Sequence, residues 1–206
     1  MTRVARSSAT IAGVEEAKAF FAANPDVDSI EMIYTDLGGV PRGKRLRAHE
    51  VIAVYESGRM FPGSITVVDI RGQDTVETGL VWEDGDADRS MKPIPGTLVK
   101  TPWGGDHAAQ FLVDFYELNG TPHDLDPRHV LGRVIDRFAD DGLTPVLAVE
   151  LEFYLLSPRR TREGGYRPAR PDGGRTPTGV EVYGLRELDD FRPFFDELYA
   201  ACDVQG

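Results

Sequence analysis

Apolar residues recur with a helical period near the start of the chain and with a strand period soon after it. Residues 14–21 carry apolar side chains at helical spacing, and the Asn-Pro pair at 24–25 predicts the end of that helix. Residues 29–35 and 40–46 alternate in the manner of strands, and the two glycines at 38–39 supply a turn between them. This pattern predicts a helix followed by a β-hairpin.

The next part of the chain has mainly the pattern of strands and loops. Apolar positions within residues 51–55 predict a short helix. Residues 65–70, 97–99 and 109–116 are each typical of a strand. Asp114 is an acid inside the last of these runs.

A new pattern begins near residues 121–125, where we expect a domain boundary. Asp126 and Pro127 are typical of a helix start, with a capping acid before a proline. The apolar face predicted for this helix consists of Val130, Leu131, Val134, Ile135 and Phe138. Residues 144–156 are the strongest predicted strand, and residues 159–178 predict a mobile loop rich in Arg, Gly and Pro. A last helix is predicted with an apolar face of Leu188, Phe191, Phe194, Phe195, Leu198, Tyr199 and Cys202.

Composition narrows the class of protein. The 206 residues include 23 Lys and Arg against 34 Asp and Glu, which gives a net charge of −11 and disfavours nucleic acid or anionic membrane as a partner. The apolar fraction of 41% is sufficient for a sizeable core. Cys202 is the only cysteine, so an internal disulfide is excluded, and from the apolar runs we expect neither a secretory leader nor a membrane-spanning segment. We therefore expect a cytoplasmic protein.

The predicted strand at 144–156 places two carboxylates on one face. Its odd positions are apolar, whereas Glu150 and Glu152 occupy even positions about 7 Å apart at the usual rise of a strand. Two like charges on an apolar strand are unfavourable unless cations or water neutralise them. From spacing alone, two interpretations stay open: ordinary exposed glutamates, or ligands of Mg²⁺ or Mn²⁺.

Four motifs, taken in order, resemble the glutamine synthetase family. Residues 149–156, which read VELEFYLL, look like the E-x-E-F-F/Y-L strand that opens the family's metal site. Residues 34–39, which read YTDLGG, resemble an early hairpin of the family. Residues 92–97 with 101–103, which read KPIPGT and TPW, resemble a later segment, and the DPR at 126–128 resembles the start of the catalytic domain. The ordered set is far more specific than any single motif.

Residues 64–69 and 148–156 look most like the γ-glutamylpolyamine (γ-glutamylputrescine) synthetase branch of that family. The resemblance implies an α+β fold in which a lead-in and helix over residues 1–24 precede a β-grasp-like domain over 25–120. The beginning of a catalytic domain, with an antiparallel sheet and helices, would follow over 121–206.

The activity implied by the resemblance is that of an ATP-dependent ligase of nitrogen and polyamine metabolism. The γ-carboxylate of glutamate is phosphorylated, and an amine then displaces phosphate to give a γ-amide. Two or more Mg²⁺ or Mn²⁺ ions and ATP as co-substrate are implied, with Glu150 and Glu152 each binding a different ion. Glutamate, ATP and an amine would be the small-molecule partners, and the subunits would form a homo-oligomeric ring.

The implied amine site departs from the family pattern. Ammonia-using members carry F-D-G-S-S in an N-terminal loop, where the acid helps to hold and deprotonate ammonium. Here residues 61–64 read FPGS, so Pro62 stands in place of the acid. This change favours a larger amine, although Pro62 could equally serve only to shape a turn. Ser64 and Tyr183 are the candidates for the amine site, and a core or loop role is the alternative for Tyr183.

Other polar residues give weaker indications. Four cations within residues 42–47 are expected on a solvated or subunit-facing strand rather than at a phosphate site. Three histidines without metal-ligand spacing are expected at the surface: His107, His123 and His129.

The chain is also less than half as long as the members of this family. The nucleotide-contacting residues and the further metal ligands are expected beyond Gly206, so we expect an incomplete N-terminal part without ligase activity of its own. An ordinary glutamine synthetase that uses ammonia is the first alternative. A non-catalytic β-grasp module for interaction or sensing is the second, and a metal-dependent hydrolase is disfavoured because no nucleophile or histidine partner accompanies the two glutamates.

Overall fold

The computed structural model describes residues 10–170 and 182–206. Its contacts divide the chain into two compact units, one that runs to Pro145 and one from Val146 to Val204. The two units differ in how many of their residues are buried.

The first unit is built on a mixed sheet of six strands. Five of them follow the order β2-β1-β6-β4-β3, and β5 pairs with β6 outside that path. β1 and β6 are parallel and the other pairs are antiparallel. The strands are β1 (Ser29–Thr35), β2 (Pro41–Leu46), β3 (Arg59–Pro62), β4 (Asp88–Pro93), β5 (Val99–Lys100) and β6 (Ala108–Tyr116).

The predicted hairpin is confirmed as β1 and β2. Alternate residues of β1 are buried, namely Ile30, Met32 and Tyr34, so the strand presents one face to the core. The register pairs Ile30 with Leu46 and Thr35 with Pro41. The alternation in the sequence therefore identified both the strands and the buried face of β1.

Two helices complete the core of the first unit. α1 (Val14–Ala23) packs against α2 (Ala48–Ser57), and α2 also contacts β1 and β4. Both helices were predicted. The buried apolar cluster includes Ala17, Ile30, Met32, Val51, Val54, Tyr55, Met91, Phe111, Val113 and Phe115. The first unit is thus a mixed sheet with helices packed on it, and the expectation of an α+β fold is confirmed.

Between α2 and β6 the prediction was partly wrong. The strand expected at 65–70 is not formed, because a 3-10 turn, Gly63–Thr66, redirects the chain there. β3 and β4 were not predicted, since the sequence of β4, DRSMKP, has no clear alternation. β4 exists because it lies between β3 and β6, which supply its hydrogen-bonding partners.

α3 (Pro127–Asp140) begins where the sequence predicted, at the cap Asp126, but it buries a different face. His129 and Gly132 are buried, whereas four of the residues predicted for the core are exposed: Val130, Leu131, Val134 and Phe138. The reason is the docking of the first helical turn on β6, which fixes the rotation of the helix about its axis. The apolar stripe consequently points away from the sheet.

The second unit has little tertiary packing. Within its described residues it contains α4 (Leu185–Asp190), α5 (Arg192–Gln205) and one isolated bridge between Leu156 and Pro168. None of the described residues from 146 onward is buried. The last helix was predicted as one apolar-faced helix; the structure breaks it at Phe191.

The strand predicted at 144–156 is absent, and so is the antiparallel sheet expected in this part of the chain, as far as residues 146–170 and 182–206 describe it. Leu147, Val149 and Leu151, which were expected to face a core, are each more than four-fifths exposed. A strand is stable only when neighbours satisfy its backbone groups, and the isolated bridge at Leu156 supplies no ladder.

The predicted loop at 159–178 lies partly outside the described residues. Its described part makes a turn in which the Thr161 amide donates to the Gly165 carbonyl oxygen, 2.9 Å away. Across the described ranges, no helix has the length and the apolar character that crossing a membrane requires.

Candidate functional site

The two glutamates proposed from the sequence lie in the second unit on a segment without regular secondary structure. Glu150 and Glu152 are both exposed. The inference that their side chains share a face required a strand, and the structure gives it no such support. Among residues 10–170 and 182–206, no group of three or more His, Cys, Asp or Glu side chains is placed to hold a metal ion.

The chemistry of this pair fits a hard divalent cation, but the number of ligands does not complete a site. Carboxylate oxygens are the ligands that Mg²⁺ and Mn²⁺ take in proteins. An octahedral Mg²⁺ ion needs six oxygens, and two carboxylates cannot supply six to each of two ions. Glu150 and Glu152 therefore form at most a partial donor set.

Ser64 lies in the first unit, in the 3-10 turn that follows β3; we call Gly63–Thr66 the Ser64 turn. Ser64 is 4% exposed, and its hydroxyl donates to Asp86 Oδ1 at 2.6 Å. The Thr66 hydroxyl donates to the Gly63 carbonyl oxygen at 2.8 Å. The turn is therefore closed by its own hydrogen bond and tied to Asp86.

Asp86 belongs to the acidic loop, residues 83–88, and its φ of 54° is in the left-handed region. The Gly63 amide donates to the Ala87 carbonyl oxygen at 3.0 Å, which is a second link between this loop and the Ser64 turn. The two segments are also joined by the pairing of β3 with β4, in which Pro62 faces Asp88. The acidic loop thus places Asp86 in hydrogen-bonding contact with Ser64, the serine predicted for the amine site.

Arg89 connects the acidic loop to the end of β6. Its Nη1 donates to the Ala87 carbonyl oxygen at 2.9 Å, and its Nη2 donates to Asp84 Oδ2 at 3.0 Å. Its Nε lies 2.8 Å from Glu117 Oε2 in an ion pair, with the N–H not aligned for a hydrogen bond. Glu117 Oε1 in turn lies 2.7 Å from Nδ1 of His123. Arg89 Nη1 also lies 3.5 Å from the Asp88 carbonyl oxygen, so one nearly buried guanidinium contacts four separate acceptors.

Tyr183 lies in the second unit at the start of a described range. Its φ is 58°, and its side chain is 99% exposed. Residues 171–181, which precede it, lie outside the described residues. Ser64 and Tyr183 belong to different units, and their shared role at an amine site stays a prediction.

Asp126 joins the start of α3 to β6. Its Oδ1 accepts hydrogen bonds from the amides of Arg128 at 2.8 Å and His129 at 3.2 Å, and its Oδ2 accepts one from the Phe115 amide at 2.9 Å. Nε2 of His129 lies 3.0 Å from the Phe115 carbonyl oxygen, which requires the proton on Nε2. Burial lowers the pKa of His129 and favours the neutral ring.

The surface position predicted for two of the three histidines was wrong. His123 and His129 are 4% and 8% exposed, because both pack against the end of β6. His107 is exposed, as predicted.

Asp114 is the second acid at this junction and is 8% exposed. Burial, and then the neighbouring charge of Asp126, raise the pKa of Asp114 to about 7, against the lowering effect of Arg128. Nε of Arg128 lies 3.2 Å from Asp114 Oδ1 without the alignment of a hydrogen bond. Lys92 faces Asp114 across the β4–β6 pair. This carboxyl group therefore changes its charge near neutral pH.

Three of the four cations within residues 42–47 are matched by acids, and the fourth, Lys44, lies over the ring of Phe61. Asp36, 1% exposed, accepts hydrogen bonds from Arg42 Nε at 2.5 Å and from the Val40 amide at 2.9 Å. Burial acts to raise the pKa of Asp36, but these hydrogen bonds outweigh it and hold the pKa below its ordinary value. Arg45 pairs with Glu31 at 2.6 Å. This pairing favours the prediction of a solvated strand over that of a phosphate site.

Sequence reasoning missed the polar contacts of Arg89 and of Asp114. Asp114 is an acid within an apolar strand. Such an acid indicates a buried polar cluster, because an unpaired carboxylate would destabilise the strand. Arg89 gave no signal of this kind, since Glu117, which joins it to the end of β6, is distant in sequence.

Comparison with known proteins gives the following similarities. The family described as glutamine synthetase, catalytic domain, matches residues 124–206. γ-Glutamylputrescine synthetase PuuA of Escherichia coli (strain K12) is 33% identical over 192 residues, which is 93% of this chain and 40% of that protein. A glutamine synthetase of Pyrococcus abyssi (strain GE5 / Orsay) is 31% identical over 145 residues, 70% of this chain and 29% of that protein.

Among solved structures, a crystal structure of a novel glutamine synthase homolog aligns with a TM-score of 0.61 at 17% identity. The alignment covers 87% of this chain and 39% of that one, and it is a similarity of fold. The chain spans well under half the length of the curated relatives it matches, 40% and 29% for the two proteins above.

Proposed function

The chain belongs to the glutamine synthetase family, and on that premise we propose that it is the N-terminal part of an ATP-dependent ligase that joins the γ-carboxylate of glutamate to an amine. The observation that carries the proposal is the 33% identity to γ-glutamylputrescine synthetase over 93% of the chain. The four ordered motifs of the sequence support it independently.

The proposed reaction has two steps. An oxygen of the glutamate γ-carboxylate attacks the γ-phosphorus of ATP, and ADP leaves, so that γ-glutamyl phosphate is formed. The amine nitrogen then attacks the acyl carbon, inorganic phosphate leaves, and the nitrogen loses a proton to give the γ-amide. Electrostatic stabilisation of the transferred phosphoryl group is the main task of such a site.

Glu150 and Glu152 are proposed as one ligand each to two different Mg²⁺ or Mn²⁺ ions. When bound, such ions neutralise charge on the transferred phosphoryl group. The carboxylates of this pair are exposed. The further oxygen ligands, and the contacts to ATP and glutamate, are proposed to lie beyond Gly206.

The acceptor is proposed to be a polyamine or another primary amine. Pro62 in place of an acid, the Ser64 turn and Tyr183 are the features that support this choice, together with the match to γ-glutamylputrescine synthetase. Ammonia is the second candidate acceptor, favoured by the match to a glutamine synthetase.

The arrangement of the whole protein is part of the same proposal. The family match begins at residue 124, which supports a catalytic domain from about 121 after an N-terminal β-grasp-like domain over 25–120. The mixed sheet with α2 packed on it supports the N-terminal assignment. A cytoplasmic homo-oligomeric ring is proposed from family membership, and the net charge of −11 disfavours nucleic acid and anionic membranes as partners.

The experiment is an assay of phosphate release from ATP and glutamate, with putrescine or ammonium as acceptor, on the complete ligase and on the 206-residue chain. The complete ligase is expected to turn over putrescine, and the 206-residue chain is expected to show no turnover. Turnover with ammonium only would replace the polyamine proposal by that of a glutamine synthetase. No turnover with any acceptor would favour a non-catalytic interaction or sensing module.

The metal ligands are tested by Mn²⁺ titration of the complete ligase. Glu150→Gln and Glu152→Gln are each expected to weaken Mn²⁺ binding by at least about tenfold. Glu163→Gln, which changes another exposed glutamate of the same unit, is the matched control. Unchanged Mn²⁺ binding in both variants would exclude the pair as ligands.

A further inference from the structure

The contacts of Arg89 reach beyond the strand that carries it. Its side chain is only 13% exposed, and its three nitrogens contact two acids and two backbone carbonyl oxygens. A planar guanidinium holds several acceptors at fixed directions, which an ammonium group cannot do. Arg89 is therefore suited to fix segments relative to one another.

The Ala87 carbonyl oxygen joins the acidic loop both to the Arg89 side chain and to the Ser64 turn. It accepts hydrogen bonds from Arg89 Nη1 at 2.9 Å and from the Gly63 amide at 3.0 Å. A Cβ atom at Gly63 would lie 3.3 Å from Arg89 Cγ and 3.4 Å from the Ala87 carbonyl oxygen. The Ser64 turn, the acidic loop and the Arg89 side chain are thus in close contact.

The far side of Arg89 is attached to the end of β6. Glu117 lies between Nε of Arg89 and Nδ1 of His123, at 2.8 Å and 2.7 Å. His123 is 4% exposed, and its amide donates to the Phe115 carbonyl oxygen at 3.0 Å. A continuous set of contacts therefore runs from the central strand through Glu117 and Arg89 to the acidic loop.

We propose that Arg89 is a positioning residue that anchors the acidic loop and, through Asp86, fixes the hydroxyl of Ser64. Because the Ser64 hydroxyl donates its proton to Asp86 at 2.6 Å, its oxygen lone pairs are left to accept from an N–H group. The consequence for catalysis rests on the proposed function: the fixed Ser64 oxygen orients the amine acceptor.

Anchoring is tested on the 206-residue chain by amide hydrogen exchange of Arg89→Gln. The Gly63 amide and residues 84–88 are expected to exchange at least about tenfold faster, while the amides of β1 stay unchanged. Arg45→Gln, which removes an exposed ion pair of the same unit, is the matched control and is expected to leave these amides unchanged. Exchange of the Gly63 amide at the wild-type rate would overturn the proposal.

Arg89→Lys is the second variant, in case the glutamine variant does not fold. The lysine keeps a positive charge beside Glu117 but lacks the planar guanidinium with its several N–H donors, so faster exchange of the Gly63 amide is expected again. Wild-type exchange in Arg89→Lys would overturn the role assigned to the guanidinium.

Positioning is tested in the complete ligase by the KM for putrescine. Arg89→Gln is expected to raise this KM about tenfold, with kcat and the KM for ATP within twofold of wild type. Adding Arg89→Gln to Ser64→Ala is expected to cause no further rise, because both changes act through one hydroxyl. An equal rise of KM for every substrate would overturn the positioning role. Absence of turnover in the wild type would refute the proposed function. In that case the hydrogen-exchange result would still decide whether Arg89 anchors the acidic loop.

Discussion

At the scale of single residues, the junction between β6 and α3 holds two buried acids, and their surroundings give them different roles. Asp126 accepts three amide hydrogen bonds, whereas Asp114 Oδ1 has a cation beside it without an aligned hydrogen bond. The capping role of Asp126 was predictable, because an acid before a proline is a local signal. The burial of Asp114 follows from the packing of α3 on β6.

The raised pKa of Asp114 predicts a pH dependence of stability. The pKa is near 4 in the unfolded chain and about 7 in the folded one, so the folded state binds the proton more tightly. This group therefore contributes stability at low pH that is lost as pH rises from about 4 to 7. Asp126, Arg128 and the facing Lys92 are the charged groups around it.

Asp114→Asn is expected to flatten that dependence and to raise the free energy of unfolding at pH 8 relative to wild type. Urea denaturation at pH 5 and pH 8 measures both effects. Asp124→Asn, at a side chain 91% exposed, is the control. If the variant lost as much stability as wild type between pH 5 and pH 8, the assignment would be contradicted.

Asp126→Ala is expected to destabilise the first unit by about 2–4 kcal/mol. The loss of a helix cap costs about 1 kcal/mol, and the Phe115 amide is left buried without a partner. Thermal denaturation, compared with Asp124→Ala, checks the value. A loss below about 0.5 kcal/mol would show that water replaces the carboxylate.

At the scale of elements, the hairpin depends on a close approach of its two strands. A Cβ atom at Gly43 would lie 1.8 Å from the carbonyl oxygen of Met32, which is on the paired strand. No side chain fits there without a shift of backbone. The glycine signal in the sequence was recognised for the turn at 38–39, whereas this need for glycine in β2 is visible only with both strands in place.

Gly43→Ala is therefore expected to destabilise the protein by about 3 kcal/mol through overpacking. The midpoint of urea denaturation is the measurement. Gly13→Ala, at a glycine whose added Cβ meets nothing within 4 Å, is the control and is expected to stay close to wild type. Equal midpoints for the two variants would show that β2 moves away at little cost.

The segment 144–156 shows the limit of pattern alone at this scale. Its apolar alternation is the strongest in the chain, yet most of its residues are exposed, and its strand pairing within the described residues is limited to the isolated bridge at Leu156. Alternation indicates which face a strand would bury, but the hydrogen bonds that make a strand come from a neighbour.

At the scale of the whole molecule, the two units are expected to differ in stability. The buried apolar cluster lies entirely in the first unit, and no described residue of the second is buried. Units with few buried contacts open locally at low free-energy cost.

Limited proteolysis with thermolysin is expected to cleave the chain first within residues 146–206 and to leave a resistant fragment that contains β1 to β6 and ends near residue 145. Mass spectrometry of the early products identifies the cuts. First cuts inside β1 or β6 would contradict this ordering of stability.

The sequence by itself determined the elements whose signals are local: α1, the hairpin, β6 and the start of α3, together with the motifs that indicated the family. Through the resemblance to that family, the motifs also implied the α+β class. Only the tertiary structure decided the pairing of β3 and β4, the face that α3 buries and the burial of His123 and His129. The contacts of Arg89 were decided at the same level. The physical reason is that the spacing of apolar residues indicates which side of a helix or strand is apolar. Which side chains and backbone groups come into contact depends also on residues that are distant in sequence.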